Sequence, residues 1–207
     1  MIAKSFSAWR VVERWVLMTL VGLLGCQAKA QKSDPQPAAQ PGSADSVQLA
    51  KITLTSSAFT EGTPIPKKYT GEGSDVSPPL TWTGLPTATK ELALVCDDPD
   101  APGGEPWVHW VIYKIPVHAV GLPEGVEKKA QPAEPAGALQ GRNSWPSDNL
   151  GYRGPKPPPG TPHRYFFSLY ALDAELAVAP GLTKKALFQA MKGHEIGKGQ
   201  LMGTFQR

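Results

Sequence analysis

Leu92-Ala93-Leu94-Val95-Cys96 runs directly into Asp97-Asp98-Pro99-Asp100-Ala101-Pro102, and Trp107-Val108-His109-Trp110-Val111-Ile112-Tyr113 follows. The two outer pieces are apolar and β-favouring, whereas the acidic, proline-punctuated piece between them is turn chemistry. A second passage of the same kind goes from Gly151-Tyr152-Arg153-Gly154-Pro155 to His163-Arg164-Tyr165-Phe166-Phe167. Each passage sets a histidine at the start of a β-favouring run, just after a turn-rich stretch. Two strand ends can therefore bring Asp98, His109, His163 and Tyr165 into one small polar pocket.

Working outward, the periodicity is mostly that of strands. Val47 to Thr55, Leu92 to Cys96, Val108 to Ile115, Tyr165 to Leu172 and Leu201 to Phe205 are apolar or alternating runs bounded by Gly and Pro clusters. The chain carries 22 prolines and 21 glycines, most of them outside those runs, which argues for a β-sandwich with long connections and against a helical bundle. One helix is expected, Leu182 to Lys192, with Leu182, Ala186, Leu187 and Met191 on one face and Gly193 as its stop.

The N-terminal part reads differently. Lys4, Arg10 and Arg14 form a positive region ahead of an uncharged stretch from Trp15 to Leu24, too short to span a bilayer as a helix. It ends in Leu23-Leu24-Gly25-Cys26, which resembles the lipobox of bacterial lipoproteins, although Leu24 is larger than the residue usual there. Residues 1–25 are thus expected to be a lipoprotein signal peptide and Cys26 the lipidated residue. An ordinary secretory signal is the alternative, and an uncleaved anchor the weaker one. Gln27 after the cysteine resembles the sorting pattern for the outer membrane, so the expected location is an anchored protein on its periplasmic face. Gln27 to Ser46 has no aromatic residue and no aliphatic side chain larger than Ala, so it cannot bury enough apolar area to offset its ordering entropy and reads as a tether. Residues 47–207 form the expected folded domain.

Charge and motifs narrow the chemistry. The formal charge of +3 falls nearly to zero once the basic leader is removed, and no block of like charge remains, so nucleic acid is not an expected partner. With Cys26 acylated, Cys96 has no cysteine to pair with and reads as a small core residue. The chain has no Gly-x-Ser-x-Gly elbow, phosphate loop, His-Glu-x-x-His or Cys-x-x-Cys. No cofactor is implied. A zinc or iron site on two histidines and a carboxylate is the weaker option, because every ligand pair is non-local.

Asp98, His109, His163 and Tyr165 together suit a phosphate or carboxylate oxyanion, with both histidines donating and Asp98 orienting or charging one of them. The bland alternative has Asp98 and Asp100 as turn formers, both histidines as satisfied strand-end residues and Tyr165 as core. Spacing alone leaves these two readings level.

A resemblance tips the balance. From about Ile52 to Arg207 the chain resembles the phosphatidylethanolamine-binding protein family, in its bacterial Raf-kinase-inhibitor-like branch. The matching pieces include Ser77-Pro78-Pro79-Leu80-Thr81-Trp82, Asp98-Pro99-Asp100-Ala101-Pro102, His109-Trp110-Val111, Gly141-Arg142-Asn143-Ser144, Gly151-Tyr152-Arg153-Gly154-Pro155, Pro157-Pro158-Pro159-Gly160, His163-Arg164-Tyr165 and Tyr170-Ala171-Leu172-Asp173. It implies an antiparallel β-sandwich with a large and a small sheet and a few peripheral helices. The family's anion pocket maps onto Asp98, His109, Gly154, Pro155, His163 and Tyr165, with Asp100 and Pro102 shaping the first loop. Lys156 departs from the family, whose bacterial members often carry Cys there. The implied activity is non-enzymatic binding of small phosphorylated or lipid head-group anions. Modulation of a partner protein such as a peptidase is the alternative, and weak hydrolysis comes third. The membrane, through the lipid anchor, and a protein are the other expected partners.

Overall fold

The computed structural model describes residues 48–147 and 149–207; the leader, Cys26 and the tether expected over residues 1–46 lie outside them. In chain order the strands are β1 (Ala50–Lys51), β2 (Thr53–Thr55), β3 (Leu80–Thr83), β4 (Glu91–Asp98), β5 (Trp107–Pro116), β6 (Gly121–Leu122), β7 (Leu139–Gln140), β8 (His163–Leu172) and β9 (Glu195–Phe205). Between the last two lies the helix α1 (Lys184–Met191). A six-stranded sheet has the order β1-β9-β8-β4-β5-β7 and a three-stranded sheet the order β2-β3-β6. All pairings are antiparallel except that of β1 with β9.

The apolar run at Leu92–Cys96 becomes the centre of the large sheet, where it is buried from both sides. Leu92, Leu94 and Cys96 join the core that faces the small sheet. Ala93 and Val95 join a second core, with Leu187 and Met191 of α1. A strand covered on both faces needs no polar alternation, which is why its sequence is continuously apolar. The helix that covers it starts one residue after Thr183, whose side chain accepts from the Ala186 N–H at 3.2 Å. Leu182 therefore lies outside the helix. Besides α1, the described residues include one short 3-10 turn, Lys67–Tyr69, so the expected few peripheral helices reduce to these two.

The expected strand Val47–Thr55 is split: β1 pairs with β9 in the large sheet and β2 with β3 in the small one. Ile52, between them, crosses from one layer to the other and is buried. The largest difference from the sequence reading is β9, which starts at Glu195 and not at Leu201. Its first half is glycine-rich, a composition that weakens a strand taken alone. Here the glycines are a packing device. A Cβ on Gly197 would meet Pro86 Cγ at 3.1 Å, one on Gly199 would lie 2.7 Å from the Ile52 carbonyl oxygen, and one on Gly203 would lie 2.5 Å from Ile65 Cγ1. The segments that fold back over the large sheet lie directly on this bare backbone stripe.

Gly203→Ala places a methyl group inside two buried side chains, Ile65 and Phe59, the latter with Cε2 at 2.8 Å. The variant is expected to lose about 1–3 kcal/mol in urea unfolding, the usual cost of overpacking a filled core. An unchanged midpoint would contradict this contact.

Candidate functional site

Because β4 runs antiparallel to both β5 and β8, its C-terminal end meets the N-terminal ends of both neighbours. Asp98 closes β4, His163 opens β8, and His109 lies three residues into the edge opened by Trp107 on β5. The register between β4 and β5 slips at this end: Cys96 stands opposite Trp110, Asp97 opposite Val108, and His109 has no partner. This β-bulge puts two consecutive residues on one face of the sheet. Trp110 joins the inter-sheet core, and the His109 ring meets Tyr165, of the same core, edge-on at 5.1 Å. A regular ladder would have sent His109 to the helix-covered face.

The result is a cavity of about 250 Å³ lined by Asp98, Pro102, His109, His163 and Tyr165, together with Ala101, Trp107, Trp145, Lys156, Pro157 and Pro158. Its size is below the ~300–1,000 Å³ common for drug-sized ligands and suits a head group, not an acyl chain. Asp98 is 3% exposed. One carboxylate oxygen accepts from His163 Nδ1 at 2.8 Å and the other from the Asp100 backbone N–H at 2.8 Å. Asp100 itself does not line the cavity. It clamps Arg164, accepting from the Arg164 backbone N–H at 2.9 Å and from its guanidinium at 2.9 and 2.7 Å, so the turn after β4 is fastened to the start of β8.

Gly154 and Pro155 do not line the cavity, unlike the position the family resemblance gives them. The Gly154 N–H donates to Asp75 at 2.6 Å, and the Pro155 carbonyl accepts from Gly71 N–H at 2.9 Å. A Cβ on Gly154 would lie 2.4 Å from the Tyr69 carbonyl oxygen. These residues dock the following Lys156–Pro158 wall against the Tyr69–Gly71 segment, a supporting role. In the other direction, Trp145 and the Arg153 carbonyl belong to the site and carried no sequence signal of their own. Trp145 packs edge-on against His109 at 5.0 Å and Trp107 at 5.5 Å, and the Arg153 carbonyl takes the His109 Nδ1 hydrogen at 2.6 Å.

That last bond decides what His109 can do. A carbonyl only accepts, so Nδ1 carries the hydrogen and Nε2 of the neutral ring is a lone-pair acceptor. Burial lowers the His109 pKa to about 4, outweighing the opposing pull of the Arg153 carbonyl and of Asp98, Asp97 and Asp75. The expectation that both histidines donate to an anion is therefore corrected: at neutral pH His109 has no donor left. His163 differs in its partner, because its Nδ1 meets the Asp98 carboxylate and not a carbonyl. Tyr165 is fully buried, and burial with the nearby Asp98 charge holds its hydroxyl protonated. That hydroxyl feels Asp98 but forms no bond to it of acceptable geometry, and no protein group accepts its hydrogen. Cys96, buried beneath, is kept as a thiol by desolvation.

A larger groove of about 590 Å³ lies between α1 and the Arg142–Ser144 segment. Its Lys184 is paired with Asp97 and its Ser144 Oγ is engaged by the Val108 N–H at 2.8 Å. The smaller cavity has the buried Tyr165 hydroxyl that no protein group satisfies, and it is the candidate site.

The neutral His109 has a measurable consequence. With a folded pKa of about 4 against an ordinary 6.5, the unfolded chain binds a proton between those values that the folded chain refuses. Stability is complete above about pH 6.5 and falls as the pH drops toward 4, by about 3 kcal/mol in total. Asp100, held at about 2 by Arg164, yields its own contribution only below the ordinary carboxylate range, so the two losses separate. Urea unfolding across this interval is expected to show the slope in wild type and a flatter profile in His109→Gln. An identical slope in the variant would remove the assignment.

Comparisons with known proteins agree with this architecture. The description "Phosphatidylethanolamine-binding protein" matches residues 55–206. A UPF0098 protein of Methanothermobacter thermautotrophicus is 47% identical over 156 residues, 75% of this chain and 99% of the relative. A Mycobacterium tuberculosis relative bearing a lipoprotein name, LppC, is 39% identical over 173 residues, 83% of this chain and 76% of its own. Among solved structures, the Chlamydia trachomatis homologue CT736 matches with a TM-score of 0.67 at 39% identity, and Escherichia coli YbcL, described as a member of the mammalian PEBP family, with 0.69 at 29% identity. Each covers 76% of this chain and 99% of the matched one. By family match, relatives and fold alike, this chain belongs to the phosphatidylethanolamine-binding protein family.

Proposed function

We propose that the domain binds small phosphorylated or lipid head-group anions in the strand-end cavity, without turning them over, as an exported protein held to the membrane through lipidated Cys26. The observation that carries this reading is the Tyr165 hydroxyl, a fully buried donor on the cavity wall that no protein group satisfies. Leaving such a donor unpaired costs about 1–3 kcal/mol, a cost that an incoming oxyanion removes. His163 stands on the same wall with Nδ1 fixed by Asp98, so its ring orientation is set before a ligand arrives. Neither cavity histidine has a Ser or Cys beside it to activate, and neutral His109 has no carboxylate bonded to its Nδ1, which favours binding over hydrolysis. The export reading is supported by the Lys4 to Cys26 pattern and by the lipoprotein name of the mycobacterial relative. Among the described residues no helix is long and apolar enough to cross a membrane.

The anion reading is tested by Tyr165→Phe. Removing an unsatisfied buried hydroxyl should leave the melting temperature equal or higher while weakening phosphate and phosphoethanolamine, in calorimetric titration, by about 1.5–3 kcal/mol, the scale of a hydrogen bond to a charged group. His163→Ala should weaken them by a similar amount. If wild type binds neither ligand at millimolar concentration, or if Tyr165→Phe binds both as wild type does, the cavity is not an anion site and modulation of a partner protein takes its place.

The anchor is tested separately. Cys26→Ser should abolish metabolic labelling with a palmitate analogue and release the protein to the soluble fraction. A wild-type protein that takes up no label and fractionates as soluble would overturn the lipoprotein assignment.

A further inference from the structure

We propose that Lys156 makes the cavity selective for phosphomonoesters over phosphodiesters and carboxylates. The proposal rests on the anion-binding reading above and goes beyond it in naming the ligand class and the residue that sets it.

The cations around the cavity are not equivalent. Arg164 is clamped by Asp100, Arg153 is paired with Asp75 at 3.6 Å, and Lys184 is paired with Asp97. Lys156 lines the cavity, is exposed, and has no carboxylate partner. Asp98 is already matched by His163 Nδ1–H and the Asp100 N–H, so the positive charge of Lys156 is the one left over for a ligand.

Its direction is also restrained. Pro155 and Pro157 flank Lys156, and a residue before proline is held near extended backbone. The stem lies flat on Gly71: a Cβ there would come 3.0 Å from Lys156 Cβ and 3.2 Å from Cδ. The Gly71 N–H to Pro155 carbonyl bond, 2.9 Å, holds the two segments in that contact. An ordinary surface lysine loses most of its rotamer freedom on pairing. This one has surrendered part of it in folding.

Three groups that can donate then border the cavity: the Tyr165 hydroxyl, the His163 imidazole, whose Nε2 donates when the ring is protonated, and the Lys156 side chain. A phosphomonoester has three terminal oxygens and, near neutral pH, close to two negative charges. A phosphodiester or a carboxylate has two such oxygens and one charge, so one donor is left unmatched. The substituent on the fourth oxygen would leave beside Trp107 and Pro158, two of the exposed members of the lining.

The test is a matched pair of ligands with the same amine, O-phosphoethanolamine as the monoester and glycerophosphoethanolamine as the diester, titrated calorimetrically into the full chain in detergent. Wild type is expected to prefer the monoester by about tenfold, the scale of one lost hydrogen bond to a charged group. Lys156→Gln should bring the ratio close to one, mainly by weakening the monoester, with an unchanged melting temperature. Lys156→Arg should keep most of the preference, and added salt should reduce it in wild type, since Lys156 is exposed. If both ligands bind wild type alike, or if the preference survives in Lys156→Gln, Lys156 is not the selector although the anion site stands. If neither binds, the anion reading fails and this proposal with it.

Discussion

The site depends on the burial of one carboxylate. Asp98 sits at 3% exposure at the end of the central strand, and an ionised carboxylate out of water is tolerable only when its oxygens are hydrogen-bonded. Each of its oxygens has a partner from a different piece of chain: His163 from β8, and the Asp100 N–H from its own turn. Asp100 in turn fixes Arg164. The desolvation cost of a single group thereby locks the 98–102 turn, the start of β8 and the orientation of an imidazole to one another. Remove the carboxylate charge and the turn, the ring and the cavity wall each lose an anchor.

That anchor works because the sheet beneath it is rigid. β4 is packed from both faces, by the small sheet on one side and α1 on the other, so its end cannot move independently of the core. On the β9 side, Gly197, Gly199 and Gly203 let Ile52, Ile65 and Phe59 lie against backbone, which draws the small sheet close. Trp110, in the inter-sheet core, donates to Gln140 at 2.7 Å, while the amide of Gln140 donates to the Glu127 and Lys129 carbonyls at 2.5 and 2.8 Å. The loop over residues 127–140 is thus held by a fully satisfied buried side chain directly beside the bulge that carries His109.

What was legible in the sequence follows from these same forces. Leu92–Cys96, Val108–Ile115 and Tyr165–Leu172 declared themselves as strands because two-sided burial demands predominantly apolar residues. Asp98, His109, His163 and Tyr165 could be grouped because antiparallel strands bring alternate ends together. The first half of β9 was not legible, since its glycines serve a contact with residues far away along the chain and read locally as weakness. The bulge at His109 was equally hidden: nothing in Trp107-Val108-His109-Trp110 announces that two successive side chains share a face. Arg153 and Trp145 lie more than thirty residues from His109 in sequence and enter the site only through tertiary packing. Gly154 and Pro155 were placed in the pocket by resemblance. Their backbone groups are in fact engaged by Asp75 and Gly71.

The two histidines show how one fold gives the same side chain different surroundings. Both have Nδ1 committed to an acceptor, yet His163 meets a carboxylate and His109 a carbonyl. At His109 the carbonyl supplies only a dipole, too little to offset burial. The cavity therefore has a polar side, made by Asp98, His163, Tyr165 and Lys156, and a neutral aromatic side, made by His109, Trp145 and Trp107. A ligand that places its negative oxygens on the first and a weakly solvated substituent on the second matches both at once. A uniformly charged anion leaves the aromatic side unmatched, and a purely apolar molecule leaves Tyr165 as unsatisfied as before. This asymmetry, set by which acceptor each histidine found when the strands paired, gives the closed end of the β-sandwich two chemically distinct walls.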